Sequence, residues 1–183
     1  VAAAIAAEEP DLVAQGAVFE DGVSLVRSLR QVGFSPKVLF QTSAPSNSDQ
    51  YSKGVGEENT EGVFYTVSWN DKATTPLNKE FVEAYAKRFD NEVPAEDAAD
   101  AFAAAQILQK AVEEVGKIDQ KALADWLHAN SVETILGPLS CVERGVPLSD
   151  FILAQWQSGV VQVVAPKDAA TTDKVVFPKP DWK

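Results

Sequence analysis

A strand–helix–strand succession near the start of this chain constrains its fold more than any other feature. Asp11 to Ala17 is a short apolar run with the length of one buried strand. Val23, Val26 and Leu29, with Leu25 and Val32, then recur at spacings of three and four, the period of a helix with one apolar face. Gly33 predicts the left-handed end of that helix, and Phe34 stands where a Schellman cap takes its apolar contact. Pro36 follows, and Lys37-Val38-Leu39-Phe40-Gln41 reads as the next strand. Two strands joined by a crossover helix are parallel, and a parallel sheet needs helices over both faces.

The rest of the chain does not supply what such a sheet requires. Residues 42–60 are polar and carry Pro45, Gly54 and Gly56, which predicts a loop with one helical turn around Gln50 to Val55. Val63-Phe64-Tyr65-Thr66-Val67 reads as a third strand. Three helices follow. Thr75-Pro76 predicts an N-cap and first turn, with Phe81, Tyr85 and Phe89 repeating every four residues. Pro94 to Gly116 predicts the longest helix, with Ala98, Ala101, Phe102, Ala105, Leu108, Val112 and Val115 as its packed stripe. Asp119 predicts the cap of a third helix, bearing Leu123, Trp126 and Leu127. Thr134 to Val142 reads as one strand that Pro138 confines to an edge or bulge. Phe151 to Trp156 and Val160 to Val164 read as a hairpin around Gln157-Ser158-Gly159, and residues 167–183 as an extended tail. An Ala-rich stretch, Val1 to Ala7, looks like the end of a helix. A doubly wound sheet has five or more parallel strands. The expectation is therefore an incomplete fold, finished by sequence absent here or by another chain.

Composition narrows the function. The chain of 183 residues carries 16 Lys and Arg against 27 Asp and Glu, a net charge of −11 with no basic cluster, which argues against nucleic acid and anionic membrane partners. Cys141 is the one cysteine and His128 the one histidine, so neither an internal disulfide nor a Cys/His zinc set is available. Cys141 has no basic neighbour before Arg144 and reads as a small core residue; His128, near a helix end, reads as a capping group. Val1 begins a chain without methionine, so the expectation is a processed product or a fragment, with any signal peptide upstream.

The strand ends hold the candidate contacts. Gly16 to Gly22 lacks the G-x-G-x-x-G spacing of a nucleotide loop, and Glu20 and Asp21 would repel a pyrophosphate there. Open α/β sheets nevertheless bind ligands beyond the carboxyl ends of their strands. Phe19 and Glu20 follow the first strand, and Gln41, Thr42 and Ser43 end the second. An aromatic wall beside uncharged hydrogen-bonding groups suits a small amphipathic molecule; the other readings are helix-start charge for Glu20 and local turn bonds for Thr42 and Ser43. Trp69, after the third strand, fits a lid, a hinge packing residue or core. Neither a phosphate cradle nor a nucleophile with its base is present, so no catalytic residue, metal or cofactor is expected.

The order of these pieces resembles the C-terminal half of the type I periplasmic binding proteins, the substrate-binding components of branched-chain amino-acid ABC transporters. The resemblance runs from Pro10 to about Pro166. It rests on Pro10-Asp11-Leu12-Val13 leading into Gly16-Ala17, on Asn59-Thr60-Glu61-Gly62-Val63, and on Asn78-Lys79-Glu80-Phe81-Val82 with Ala84-Tyr85. Thr134-Ile135-Leu136-Gly137-Pro138-Leu139 and Gln155-Trp156-Gln157-Ser158-Gly159 complete it. The resemblance implies an α/β fold of parallel three-layer sandwich lobes, here incomplete. Residues 1–69 would form part of one ligand-binding lobe, 70–149 part of the other, 150–166 a return hairpin to the first, and 167–183 a tail. It implies a non-enzymatic, extracytoplasmic solute-binding component of an ABC importer that closes by a hinge on an amino acid or similar small polar solute. The alternative is a ligand-sensing receptor domain of the same fold. Implied partners are the solute, a membrane permease and the missing N-terminal half, from the same protein or an exchanged chain. The implied location is periplasmic or otherwise extracytoplasmic, with a lipid anchor on the absent N-terminus. Family members contact ligand with an aromatic where Phe19 stands. They commonly place an acid where this chain has Gln41, Thr42 and Ser43, so the charge for an ammonium would come from Glu20 or Asp21, or the ligand is uncharged at that end. Phe102 stands where the family often has Tyr and is expected to pack rather than to touch ligand.

Overall fold

The computed structural model describes residues 1–143, 146–148 and 151–183, with backbone alone at 142, 143 and 146–148. Arg144, the basic neighbour considered for Cys141, and Asp150, the first residue of the expected return hairpin, lie outside the described residues. The chain divides into two units, Val1–Val67 with Ile152–Lys183, and Ser68–Phe151.

In the first unit, α1 (Ala2–Glu8) leads into β1 (Leu12–Gln15), α2 (Phe19–Gln31), β2 (Val38–Gln41), α3 (Ser48–Val55) and β3 (Phe64–Val67). After the second unit the chain returns as β7 (Ile152–Gln157) and β8 (Val160–Ala165). Among the described residues these strands form one sheet in the order β1-β2-β3-β7-β8. β1, β2 and β3 run parallel, as the crossover helix requires, and β7 and β8 add antiparallel strands. The α2 end is the Schellman cap expected: Gly33 has φ +71°, its N–H reaches the Arg30 carbonyl, and the Phe34 N–H reaches that of Leu29. Val26, Leu29, Leu39 and Val63 are wholly buried in one core with Tyr51, Val55 and Trp156. Each large aliphatic side chain there contributes about 1.5–3 kcal/mol on leaving water. The β7–β8 turn is Ser158-Gly159, both with positive φ, the type I′ geometry that matches strand twist.

Residues 167–183 are not a free tail. They form a strap across the amino ends of the parallel strands. The Lys179 N–H bonds the carbonyl of Lys37, just before β2, and Trp182 Nε1 donates to the Phe34 carbonyl at 2.8 Å. Gln155 reads the strap backbone with its amide, giving to the Val176 carbonyl and taking from the Val176 N–H. Sequence patterning misses this because an irregular segment carries no periodicity; its bonds come from side chains far away in the chain.

The second unit comprises, among the described residues, α4 (Asn78–Arg88), α5 (Glu96–Val115), α6 (Gln120–Ala129) and a three-stranded sheet, β4 (Ser131–Thr134), β5 (Gly137–Glu143) and β6 (Val146–Leu148). Three expectations change here. Thr134 to Val142 is not one strand: Ile135 and Leu136 turn the chain, Gly137 adopts φ +90°, and the Thr134 hydroxyl donates to the Gly137 carbonyl across the turn. Pro138 is the second residue of β5, where it pairs with Glu133 of β4, and β5 is the central strand of this sheet rather than an edge. Thr75 does not cap α4; its hydroxyl donates to the Ile135 carbonyl, and the helix begins at Asn78. The packed face of α5 is Ala99, Ala103 and Ala111, whereas Phe102 and Leu108 of the expected stripe are 41% and 55% exposed. The helix is small or apolar on two faces, and periodicity alone selected the wrong one. Asp119 caps α6 as expected, its carboxylate accepting the Ala122 N–H at 2.9 Å.

A candidate ligand-contact edge on the first unit

Parallel strands β1 and β2 end in register at Gln15 and Gln41, and the loops that leave them carry most of the expected contacts. Phe19 opens α2, half-buried, with its ring packed on the unit's core. Glu20, in the same first turn, is exposed. Ser43 is exposed too, at the start of a short 3-10 turn. Thr42 is engaged: its hydroxyl accepts the Ala17 N–H at 2.9 Å and donates to the Ala17 carbonyl at 3.2 Å, tying the two strand-end loops together. The local-bond reading of Thr42 is what this geometry contains.

Gln41 is wholly buried. Its amide nitrogen donates to Gln15 Oε1 at 2.6 Å and to the Gly22 carbonyl at 3.0 Å, and its oxygen accepts from the Tyr51 hydroxyl at 2.6 Å. Burial pushes the Tyr51 phenol well above its ordinary pKa, so it stays a donor. Phe19, Glu20, Gln41, Thr42 and Ser43 therefore share one strand-end edge, with Phe19, Glu20 and Ser43 on its accessible side. Trp69 belongs to the second unit. It lies in the core of the second unit, 5% exposed, with its indole N–H on Asn78 Oδ1 at 2.7 Å and its ring edge-on to Phe81.

Sequence reasoning missed a carboxyl cluster at the start of the second unit. Glu96, in the first turn of α5, accepts from the backbone N–H of Ser68 and from its hydroxyl at 2.8 Å, and Asp100 Oδ1 lies 3.0 Å from the same hydroxyl. Burial raises both carboxyl pKa values; the Ser68 bonds oppose this, and Asp97 adds like-charge repulsion to each. Glu96 and Asp97 are adjacent in the sequence, but the Ser68 that Glu96 bonds is nearly thirty residues away, and no local spacing points to it. His128 sits in the last turn of α6, exposed, with Nδ1 2.7 Å from the Cys141 carbonyl, a bond to β5 rather than to the helix's own terminal carbonyls. Cys141 is half-buried rather than a core residue. Among the described residues no group of three or more His, Cys, Asp or Glu could hold a metal ion, and no helix is long and apolar enough to cross a membrane.

A crossover sheet with its polar edge at the carboxyl ends of the strands is the geometry of open α/β binding folds. The family model described as periplasmic binding protein matches residues 1–160. The chain belongs to the periplasmic binding protein family. Among solved structures it is similar to a leucine-binding protein from Thermotoga maritima, at TM-score 0.78 and 22% identity over 90% of this chain and 46% of that one. It is also similar to a branched-chain amino-acid transporter substrate-binding protein from Streptococcus pneumoniae in complex with isoleucine, at TM-score 0.70 and 15% identity over 85% and 45% of the two chains. A third is an ABC transporter solute-binding protein from R. palustris in complex with benzoate, at TM-score 0.69 and 16% identity over 94% and 49%. A search among curated proteins finds no match. The chain spans about half the length of the solved structures it matches, so its type I binding-protein fold is partial. The family is one of periplasmic binding proteins, and these relatives are leucine-binding, substrate-binding and solute-binding proteins.

Proposed function

We propose that this chain is the C-terminal portion of an extracytoplasmic solute-binding protein that delivers an amino acid or similar small amphipathic solute to the permease of an ABC importer. The observation that carries the reading is the strand-end edge of the first unit, where the half-buried ring of Phe19 stands with the exposed Glu20 and Ser43. On this reading the two units are portions of two lobes, and bound solute shifts a hinge equilibrium through contacts made only in the closed state. Phe19 supplies apolar contact, Ser43 a hydroxyl and Glu20 a charge for an ammonium group. The N-terminal half of the protein completes both lobes. The exposed Phe102 and Leu108 on α5 and the position of β1 at one end of the sheet among the described residues fit such a complement. The lipid anchor expected above has no support in the fold or the relatives.

Titration calorimetry of the full-length protein against L-leucine, L-isoleucine and benzoate tests the proposal. Saturable heat with at least one of them is the expected result. Heat with none of these, nor with a wider panel of amino acids, amides and small carboxylates, counts against it.

A further inference from the structure

Gln41 stands at the position where a ligand contact was expected, yet nothing of it is left for a ligand. It is wholly buried, both amide hydrogens are given to protein oxygens, and its oxygen holds the Tyr51 hydroxyl. The acceptors are informative. One is the carbonyl of Gly22 in the first turn of α2; the other is Gln15, whose own amide donates to the Asp21 carbonyl at 3.2 Å. A chain of bonds therefore runs from Tyr51 on α3, through Gln41 on β2 and Gln15 on β1, into two successive carbonyls of the turn that carries Phe19 and Glu20.

Packing closes around the same point. A Cβ built on Gly22 would overlap that of Ala44 and come within 3.2 Å of Gln41 Nε2, so α2 lies with its backbone directly against the chain that leaves β2. Only a residue without a side chain allows that approach. A leucine at position 41 could fill the volume but would leave the Tyr51 hydroxyl buried without a partner. A core built only for stability has no need of this amide. A site that must hold one helix turn in one place does.

We infer that Gln41 is a positioning residue, which with Tyr51 and Gln15 fixes the first turn of α2 and so sets where Phe19 and Glu20 meet the solute. The inference rests on the solute-binding reading above for its consequence, though not for its geometry.

Two variants of the full-length protein test it. Gln41→Leu/Tyr51→Phe leaves no orphaned Tyr51 hydroxyl, and the two acceptors that lose the amide donor are a carbonyl inside the α2 ladder and a partly exposed glutamine, so the stability loss is smaller than for Gln41→Leu alone. If Gln41 serves stability alone, this variant melts lower, exchanges faster across the whole first unit alike, and binds as wild type does while folded. If it positions the turn, the amides of Phe19 to Val23 exchange about tenfold faster beyond any change across the rest of the first unit. Affinity for whichever of L-leucine, L-isoleucine or benzoate the wild type binds then falls about tenfold, the lower end for supporting hydrogen bonds around a site. Gln41→Glu supplies a pH profile. The protonated acid keeps one donor for the Gly22 carbonyl or Gln15; the carboxylate has none and faces both oxygens. Relative to wild type at the same pH, its affinity and its protection at Phe19 to Val23 fall between about pH 5 and about pH 8, the range into which burial moves a carboxyl. Wild type that binds none of the three probes defeats the solute-binding reading, and the exchange ratios then decide the role of Gln41 by themselves. Exchange at Phe19 to Val23 that changes no more than in the rest of the first unit in both variants overturns the inference, as does unchanged affinity in both.

Discussion

The two units solve the burial problem in opposite ways. The first closes a core of large side chains, with Leu29, Leu39, Tyr51, Val55 and Val63 at 0–1% exposure between a sheet and its helices. The second packs α5 through Ala99 and Ala103 against Ile135, Leu139 and Trp69, while Phe102 and Leu108 are 41% and 55% exposed. Alanine removes little apolar area from water, and burial scales with area. The second unit thus gains close backbone approach but little hydrophobic stabilisation from its longest helix. An aromatic ladder of Phe81, Tyr85, Phe89 and Phe102, with neighbouring centroids 4.4–6.1 Å apart, stands beside that helix. The difference teaches that the first unit draws its stability from large buried side chains, whereas the second leaves the largest apolar side chains of its longest helix partly exposed.

Truncation should expose this contrast most sharply. Leu29→Ala is expected to cost about 2–5 kcal/mol in urea unfolding, whereas Leu108→Ala should change stability by less than about 0.5 kcal/mol in this chain. Equal costs would break the comparison. The strap comes next. Trp182→Ala removes a ring packed on the first unit's core, its bond to the Phe34 carbonyl, and the face over which the Lys179 ammonium lies 3.4 Å from the ring centre. The expected loss is about 0.5–3 kcal/mol, with faster proteolysis within residues 167–183.

Lys179 gives the strap a pH signature. It is 4% exposed, and burial lowers its pKa from 10.5 to about 8, with Asp181 opposing the shift. Between those values the unfolded chain holds a proton that the folded chain has released, so this residue's contribution makes stability rise with pH across that window. Below pH 8 the contribution is absent, and above 10.5 it is complete. The stability of the wild type minus that of Lys179→Met should rise with pH across that window. A slope of the opposite sign would mean that the ring holds the cation more strongly than burial disfavours it. Smaller effects belong to the second unit. Asp119→Ala should lower its melting temperature less than Trp182→Ala lowers that of the first, through the lost α6 cap. Asp125→Ala, which breaks an exposed pair with Lys121, should stay within about 0.5 kcal/mol.

Local chemistry explains what could be read in advance. The α2 cap, the parallel pairing of β1 and β2, the Ser158-Gly159 hairpin and the Asp119 cap each depend on residues close together in the chain, whose spacing carries the information. The features that escaped depend on distant partners. Thr134 to Val142 looks like a strand until the Thr134 side chain and Gly137 are seen to turn it. The two-faced α5 offers periodicity no means of choosing between its faces. Phe19, Glu20 and Ser43 could be placed at the edge because strand ends are legible. That Gln41 is sealed inside and Trp69 committed to the other unit's core depended on Tyr51, Gly22 and Asn78, none of which the pattern singled out.

Hydrogen exchange of the full-length protein with and without a bound solute tests the central claim most directly. The account predicts new protection at residues 16–23 and 41–46, the loops at the carboxyl ends of β1 and β2, and none at the strap across the opposite strand ends. Protection that gathers on residues 167–183 and leaves those two loops unchanged would contradict it.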